Sequence, residues 1–156
     1  MSFEIRILGA ADAKVLEHVA PGVFDHEVDP ALAAEFLGDP RQHLSVALDR
    51  NQVVGFASGV HYIHPDKPAE LWINELGVAP THQGQGIGKA VLQALLVVGR
   101  QLGCAQAWVL TDEDNGPALS VYRGVGGVEE PRASTMFTFD LTAAEKRNSL
   151  KKLRLP

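Results

Sequence analysis

Residues 70–102 read ELWINELGV APTHQGQGIGK AVLQALLVVGRQL: a run of strand formers, a turn with three glycines, and a helix. Glu70 to Val78 is apolar, β-branched and aromatic enough for a strong strand. Ile87 to Leu102 places Val91, Leu92, Leu95, Leu96 and Val98 at helical spacing. In the turn between them, Gly84, Gly86 and Gly88 let the backbone approach a ligand without interference from Cβ atoms. The N–H groups of the first helical turn point outward there, and the helix dipole adds partial positive charge. Such a turn suits a pyrophosphate, and Lys89 adds a formal charge beside it. Two familiar phosphate motifs do not fit. A P-loop needs Ser or Thr after Gly88-Lys89 and a glycine in place of Gln83, but Ala90 follows. The dinucleotide fingerprint needs Gly-x-Gly-x-x-Gly after the first strand, and the spacing here is Gly-x-Gly-x-Gly after a later one. On its own, a glycine-rich turn also reads simply as a tight strand-to-helix connection.

Working outward from this segment, Phe3–Leu8 alternates as a first strand, and Ala10–Val19 has helical spacing until Pro21-Gly22 stops it. Asp29-Pro30 opens a short helix that ends before Gly38. His43–Leu48 and Val53–Tyr62 are strands close enough to form a hairpin, and Pro65 and Pro68 make the next stretch a loop. After the long helix come a strand at Ala105–Thr111, a short helix at Pro117–Val125 ending in Gly126-Gly127, and an alternating strand at Thr135–Leu141. This order predicts an α/β chain with an antiparallel first half and a βαβ-like second half, whose crossover is right-handed and joins parallel strands. No repeat or long linker divides it, so residues 1–141 are expected to form one domain and residues 142–156 a basic tail.

The 156 residues carry a net charge of -5, unevenly spread. Five basic residues and one acid fall in 142–156, which leaves nine basic against eighteen acidic, or -9, for residues 1–141. A body that acidic repels phosphate backbones and suits a cationic small molecule, so nucleic-acid binding is not expected. The tail reads as a frayed terminus or as a contact for nucleic acid or lipid. One cysteine excludes an internal disulfide framework. No signal-like start or membrane-length apolar run is present, so a cytoplasmic protein without membrane contact is expected.

Gln83-Gly-Gln-Gly86-Ile-Gly88, preceded by Glu75-Leu-Gly-Val78-Ala-Pro80, resembles the pyrophosphate motif Gln/Arg-x-x-Gly-x-Gly/Ala of the GCN5-related N-acetyltransferases. Asn115-Gly-Pro-Ala118-Leu-Ser-Val-Tyr122-Arg-Gly-Val-Gly126 resembles that family's Asn-x-x-Ala-x-x-x-Tyr-x-x-x-Gly stretch. The resemblance implies a mixed, mostly antiparallel sheet of six or seven strands flanked by four helices, with strands four and five splayed. It implies acetyl-CoA as co-substrate, held by backbone N–H groups of Gln83, Gly84, Gln85, Gly86, Ile87, Gly88 and Lys89. The pantetheine arm would lie along Leu76, Gly77 and Val78, with Gly77 fitting a bulge. Gly124 departs from the pattern and weakens its short helix by about 1 kcal/mol relative to Ala.

The same resemblance makes Tyr122 the general acid, because a phenol is protonated at pH 7 and can donate to a leaving thiolate. Without the motif, Tyr122 reads as a buried aromatic. Asn115 caps the short helix and, by resemblance, touches the cofactor. Glu75, inside an apolar strand and so expected to be partly buried, is the candidate base or the anchor for an ammonium group. Asp112, Glu113 and Asp114 follow the fifth strand, and Asp25 and Glu27 lie in the early loop that borders the acceptor cleft in this family. Two acidic clusters converging on one cleft would favour a polycation, although solvated loop acids and a capping role for Asp29 explain them as well. The pattern is more loosely similar to the aminoglycoside 3-N-acetyltransferases of the gentamicin type, which implies antibiotic resistance as a role. The reading is therefore an acetyl-CoA-dependent transferase acting on a primary amine of a small cationic substrate. Its alternatives are a peptide or protein N-acetyltransferase and a non-catalytic acyl-CoA sensor. Homodimers are common in the family. His61 and His64 face opposite sides of an extended segment, so no metal site is expected. His82 flanks the glycine turn, where it meets a phosphate or water, and Cys104 is a small core residue.

Overall fold

The computed structural model describes residues 2–130 and 132–142. Five strands form one sheet in sequence order: β1 (Glu4–Leu8), β2 (Gln42–Asp49), β3 (Gln52–Tyr62), β4 (Glu70–Val78) and β5 (Gln106–Trp108). The first four pair antiparallel, and β5 joins β4 parallel. Three α-helices accompany the sheet, α1 (Pro30–Gly38), α2 (Ile87–Gln101) and α3 (Gly116–Gly124), together with 3-10 segments at Ala10–Glu17 and Pro80–His82. The mixed, mostly antiparallel sheet, the helical segments and the parallel crossover agree with the sequence reading.

Local chemistry accounts for the element ends. The β2–β3 hairpin turns through Arg50 and Asn51, both at positive φ, as a two-residue turn that suits strand twist demands. Asp29 caps α1, its Oδ1 accepting from the N–H groups of Ala31 at 2.7 Å and Leu32 at 3.1 Å. Gly38 lies inside the last turn of α1 instead of after it. The stretch from Ala10 is 3-10 and not α-helical: Asp12 turns back to the Gly9 N–H at 2.8 Å and to Arg6 at 3.1 Å, which favours a tight local turn. In α2, Ile87, Val91, Leu92 and Leu95 are buried against the sheet, each contributing about 1.5–3 kcal/mol.

Two strand predictions need correction. The fifth strand is three residues long instead of seven. The run Thr135–Leu141 forms no strand. Met136, Phe137, Phe139 and Leu141 are exposed, so alternation alone did not secure a partner. The described sheet thus has five strands and not six or seven. Of the predicted basic tail, residues 143–156 lie outside the described residues.

Candidate active site

The parallel ladder joins Glu70 to Gln106, Leu71 to Ala107 and Trp72 to Trp108, and then stops. Among the described residues, β4 keeps only β3 as a neighbour from Ile73 to Val78, so its other edge carries backbone groups without a strand partner there. The resemblance to the acetyltransferase family implies that strands four and five splay apart, and the pairing between them ends at Trp72 and Trp108.

The glycine turn lies at the open end of β4. Gly84 and Gly86 have φ of +75° and +82°, and a Cβ at either would meet nothing within 4 Å. Their glycines are therefore required by backbone conformation and leave clear space in front of the chain. Gly86 is the N-cap of α2 and offers no side chain, so the first-turn N–H groups have no capping acceptor. Gly88 serves packing: a Cβ there would meet Val121 at 3.3 Å, Leu76 at 3.5 Å and Val78 at 3.7 Å. That contact brings α2, β4 and α3 together. The Gln83 amide donates to the Val78 carbonyl at 3.3 Å, and Gln85 is partly exposed. Lys89 lies across α3, its Nζ 2.6 Å from where a Cβ of Gly124 would stand. The glycine that departs from the helical pattern thus makes room for a lysine at the turn. His82 does not face the turn's open side; its Nε2 lies 3.2 Å from Asp49 at the hairpin.

In α3, the Asn115 side chain accepts from the Ala118 N–H at 3.3 Å, and Gly126 at φ +93° ends the helix with its N–H bonded to Arg123. Tyr122 is half-buried against the core, and burial pushes its phenol above the ordinary value, which keeps it protonated.

Glu75 differs from expectation: it is exposed. The register explains why. Ser58 opposes Glu75 while Gly59 opposes Ile73, so Asn74 is an extra residue in a bulge. Strict alternation would put Glu75 on the face of buried Ile73; the bulge moves it to the other face. The predicted bulge at Gly77 is therefore displaced to Asn74. Gly77 is needed for another reason: a Cβ there would collide with the Val23 carbonyl and lie 2.8 Å from Phe56. Ser58, directly across from Glu75, is buried with a hydroxyl that has no hydrogen-bond partner.

The loop that crosses Gly77 forms one wall of a cleft of about 730 Å³. Glu17, Asp25, His26 and Glu27 line it. Asp112, Glu113 and Asp114 are exposed before α3 and do not line it, so the two predicted acidic clusters do not share that cavity. Sequence reasoning missed a further cluster around buried Glu70. Its Oε2 accepts from Tyr62 Oη at 2.7 Å and Trp108 Nε1 at 3.2 Å, and Lys67 lies 3.3 Å from Oε1. The hydrogen bond from Tyr62 above all holds this carboxyl down to about 2, against the opposing effect of burial. Three strands contribute, so no local pattern announces the cluster.

A protein-family model described as the acetyltransferase (GNAT) family matches residues 13–126. The N-alpha-acetyltransferase RimI of Mycobacterium tuberculosis is 34% identical over 124 residues, which cover 78% of this chain and 76% of that protein. The mycothiol acetyltransferase of Pseudarthrobacter chlorophenolicus is 38% identical over 89 residues, 56% of this chain but 28% of that longer protein. The structure of aminoglycoside acetyltransferase meta-AAC0020, from an uncultured soil metagenomic sample and in complex with sisomicin, aligns with a TM-score of 0.72. The alignment covers 88% of this chain and 97% of that one at 22% identity, a likeness of fold.

Proposed function

Because this chain belongs to the GNAT family of acetyltransferases, we propose that it transfers acetyl from acetyl-CoA to a primary amine of a small cationic acceptor. The observation that carries this reading is the pairing of an uncapped helix start behind two positive-φ glycines with a strand edge left open by a three-residue ladder. The residues fit the co-substrate: the first-turn N–H groups of Ile87, Gly88 and Lys89 hold the diphosphate, and the free edge at Leu76–Val78 takes the pantetheine amides. When bound, acetyl-CoA supplies an activated acyl group. Glu75, exposed on β4, accepts the ammonium proton directly or through water, or anchors the ammonium. Tyr122 gives its proton to the departing thiolate. Asp25 and Glu27 border the acceptor side, and the negative charge of residues 1–141 favours cations.

A second reading, transfer to the α-amine of a polypeptide, is favoured by the similarity to RimI. Calorimetry with acetyl-CoA, followed by thiol-release assays on aminoglycosides, polyamines and peptides, separates the two. Absence of acetyl-CoA binding overturns both. Tyr122→Phe is expected to lower kcat by about 10²-fold or more while leaving acetyl-CoA affinity nearly unchanged. Full turnover in that variant removes the acid role.

A further inference from the structure

The face of β4 opposite α2 carries a feature that neither the fold nor acetyl-CoA binding explains. Leu71 packs against Gly99 of α2, and Leu76 and Val78 against Gly88, so these side chains point toward α2. The pairs Tyr62–Glu70, Val60–Trp72, Ser58–Glu75 and Phe56–Gly77 therefore share the other face. Because Asn74 is the bulged residue, Trp72 and Glu75 are consecutive on that face, about 7 Å apart along the strand.

Trp72 is 38% exposed, yet its ring is held. It stacks on Trp108 with centroids 5.5 Å apart and planes 11° from parallel. Trp108 is fixed in turn, its Nε1 donating to Tyr62 Oη at 2.9 Å and to Glu70 at 3.2 Å. A large apolar ring kept rigid and partly open beside an exposed carboxylate is organised for recognition and not for core packing. An indole face is electron-rich, and with Glu75 next to it on an acidic body the matching chemistry is a cation. Lys67 offsets the charge of Glu70, whereas Glu75 is exposed on the same face of the sheet as Trp72.

We propose that Trp72, braced by Trp108, Tyr62 and Glu70, is a specificity-determining wall of the acceptor site, and that it selects amines whose ammonium lies between the indole face and the Glu75 carboxylate. The proposal deepens the amine-acceptor reading and rests on it. It names the acceptor class as alkylammonium compounds with an apolar surface next to the charge.

The chain has two tryptophans, and both are in this stack, so intrinsic emission reports on it directly. Spermidine titrated into the full chain is expected to change the emission saturably, whereas 1,8-octanediol does not. Trp72→Leu is expected to raise the spermidine concentration for half-maximal acetylation about tenfold, with a smaller change in kcat. Trp72→Phe keeps an aromatic face and is expected to recover most of that loss, which a purely structural role would not produce. Acetylation of spermidine by the wild type with silent emission, or equal half-saturation in Trp72→Leu, overturns the proposal and leaves the acetyltransferase reading standing. Saturable emission without acetylation shows that spermidine binds outside the acceptor site, which overturns the proposal. Emission that follows protein concentration and ignores spermidine shows this face covered by a second copy, which also overturns the proposal.

Discussion

From Glu70 to Trp72, β4 is hydrogen-bonded to strands on both sides; from Ile73 to Val78 its one strand neighbour among the described residues is β3. The first stretch is tied by side chains from three strands, with Tyr62, Trp108 and Lys67 all meeting Glu70. The second is approached on one face by the Val23 carbonyl of the early loop over Gly77, and on the other the Leu76 side chain of β4 and the Val121 side chain of α3 both pack at Gly88 of α2. One nine-residue strand thus has an end that clamps its neighbour and an end that keeps an edge free. Polar convergence suits the clamp because it fixes β5 in register. Glycine suits the open end because it lets covering segments come near without occupying the edge.

The open end is the more fragile to added volume. Gly77→Ala places a methyl group against the Val23 carbonyl and 2.8 Å from a Phe56 ring carbon, with backbone on one side that cannot swing away. It is expected to cost about 1–3 kcal/mol in urea unfolding and to shift the loop that walls the acidic cleft. Wild-type stability in this variant would mean that the loop does not rest on the strand. Gly86→Ala tests the turn by a different cause, since its Cβ meets nothing within 4 Å but the φ is +82°. The expected cost is about 1–2 kcal/mol, accompanied by weaker acetyl-CoA binding in calorimetry. Gly86→Asn, which tolerates this backbone better, should lose less. Equal losses would place the constraint in side-chain space and not in φ.

Much of the open end was legible from sequence, and little of the clamp was. The glycine turn, the helix behind it and the Asn115 cap are local patterns, each set by residues within one or two turns of chain. The exposure of Glu75 was not legible, because it depends on a bulge at Asn74 that exists only in the pairing with β3. The Trp72–Trp108 stack needs the β4–β5 register, which follows from a crossover that runs through residues 79–105. Thr135–Leu141 shows the converse: its alternation is as clear as that of β1, but no partner strand takes it up among the described residues. Alternation states which faces a strand would have, and pairing decides whether it forms.

The clamp has the smallest expected effect at neutral pH and its clearest signature in acid. Glu70 has its carboxyl held at about 2 in the fold, against an ordinary value of 4.5 in the unfolded chain. The unfolded state therefore binds the proton first as pH falls, so the contribution of Glu70 is complete above about 4.5 and is lost progressively toward 2. Glu70→Gln keeps an oxygen that accepts from Tyr62 and Trp108, and Lys67 is exposed enough to turn to water. Its stability at pH 7 is expected to lie a little below that of the wild type, and the two curves should converge as pH drops from 4.5 to 2. Asp39, also held at about 2 through its hydrogen bonds with Arg41, titrates over the same interval. Asp39→Asn is the matched control, because it removes that second contribution while leaving the clamp intact. If the difference between wild type and Glu70→Gln stays constant across that interval, Glu70 is not held ionised by its neighbours, and β5 is kept beside β4 by the backbone ladder and the stacked indoles alone.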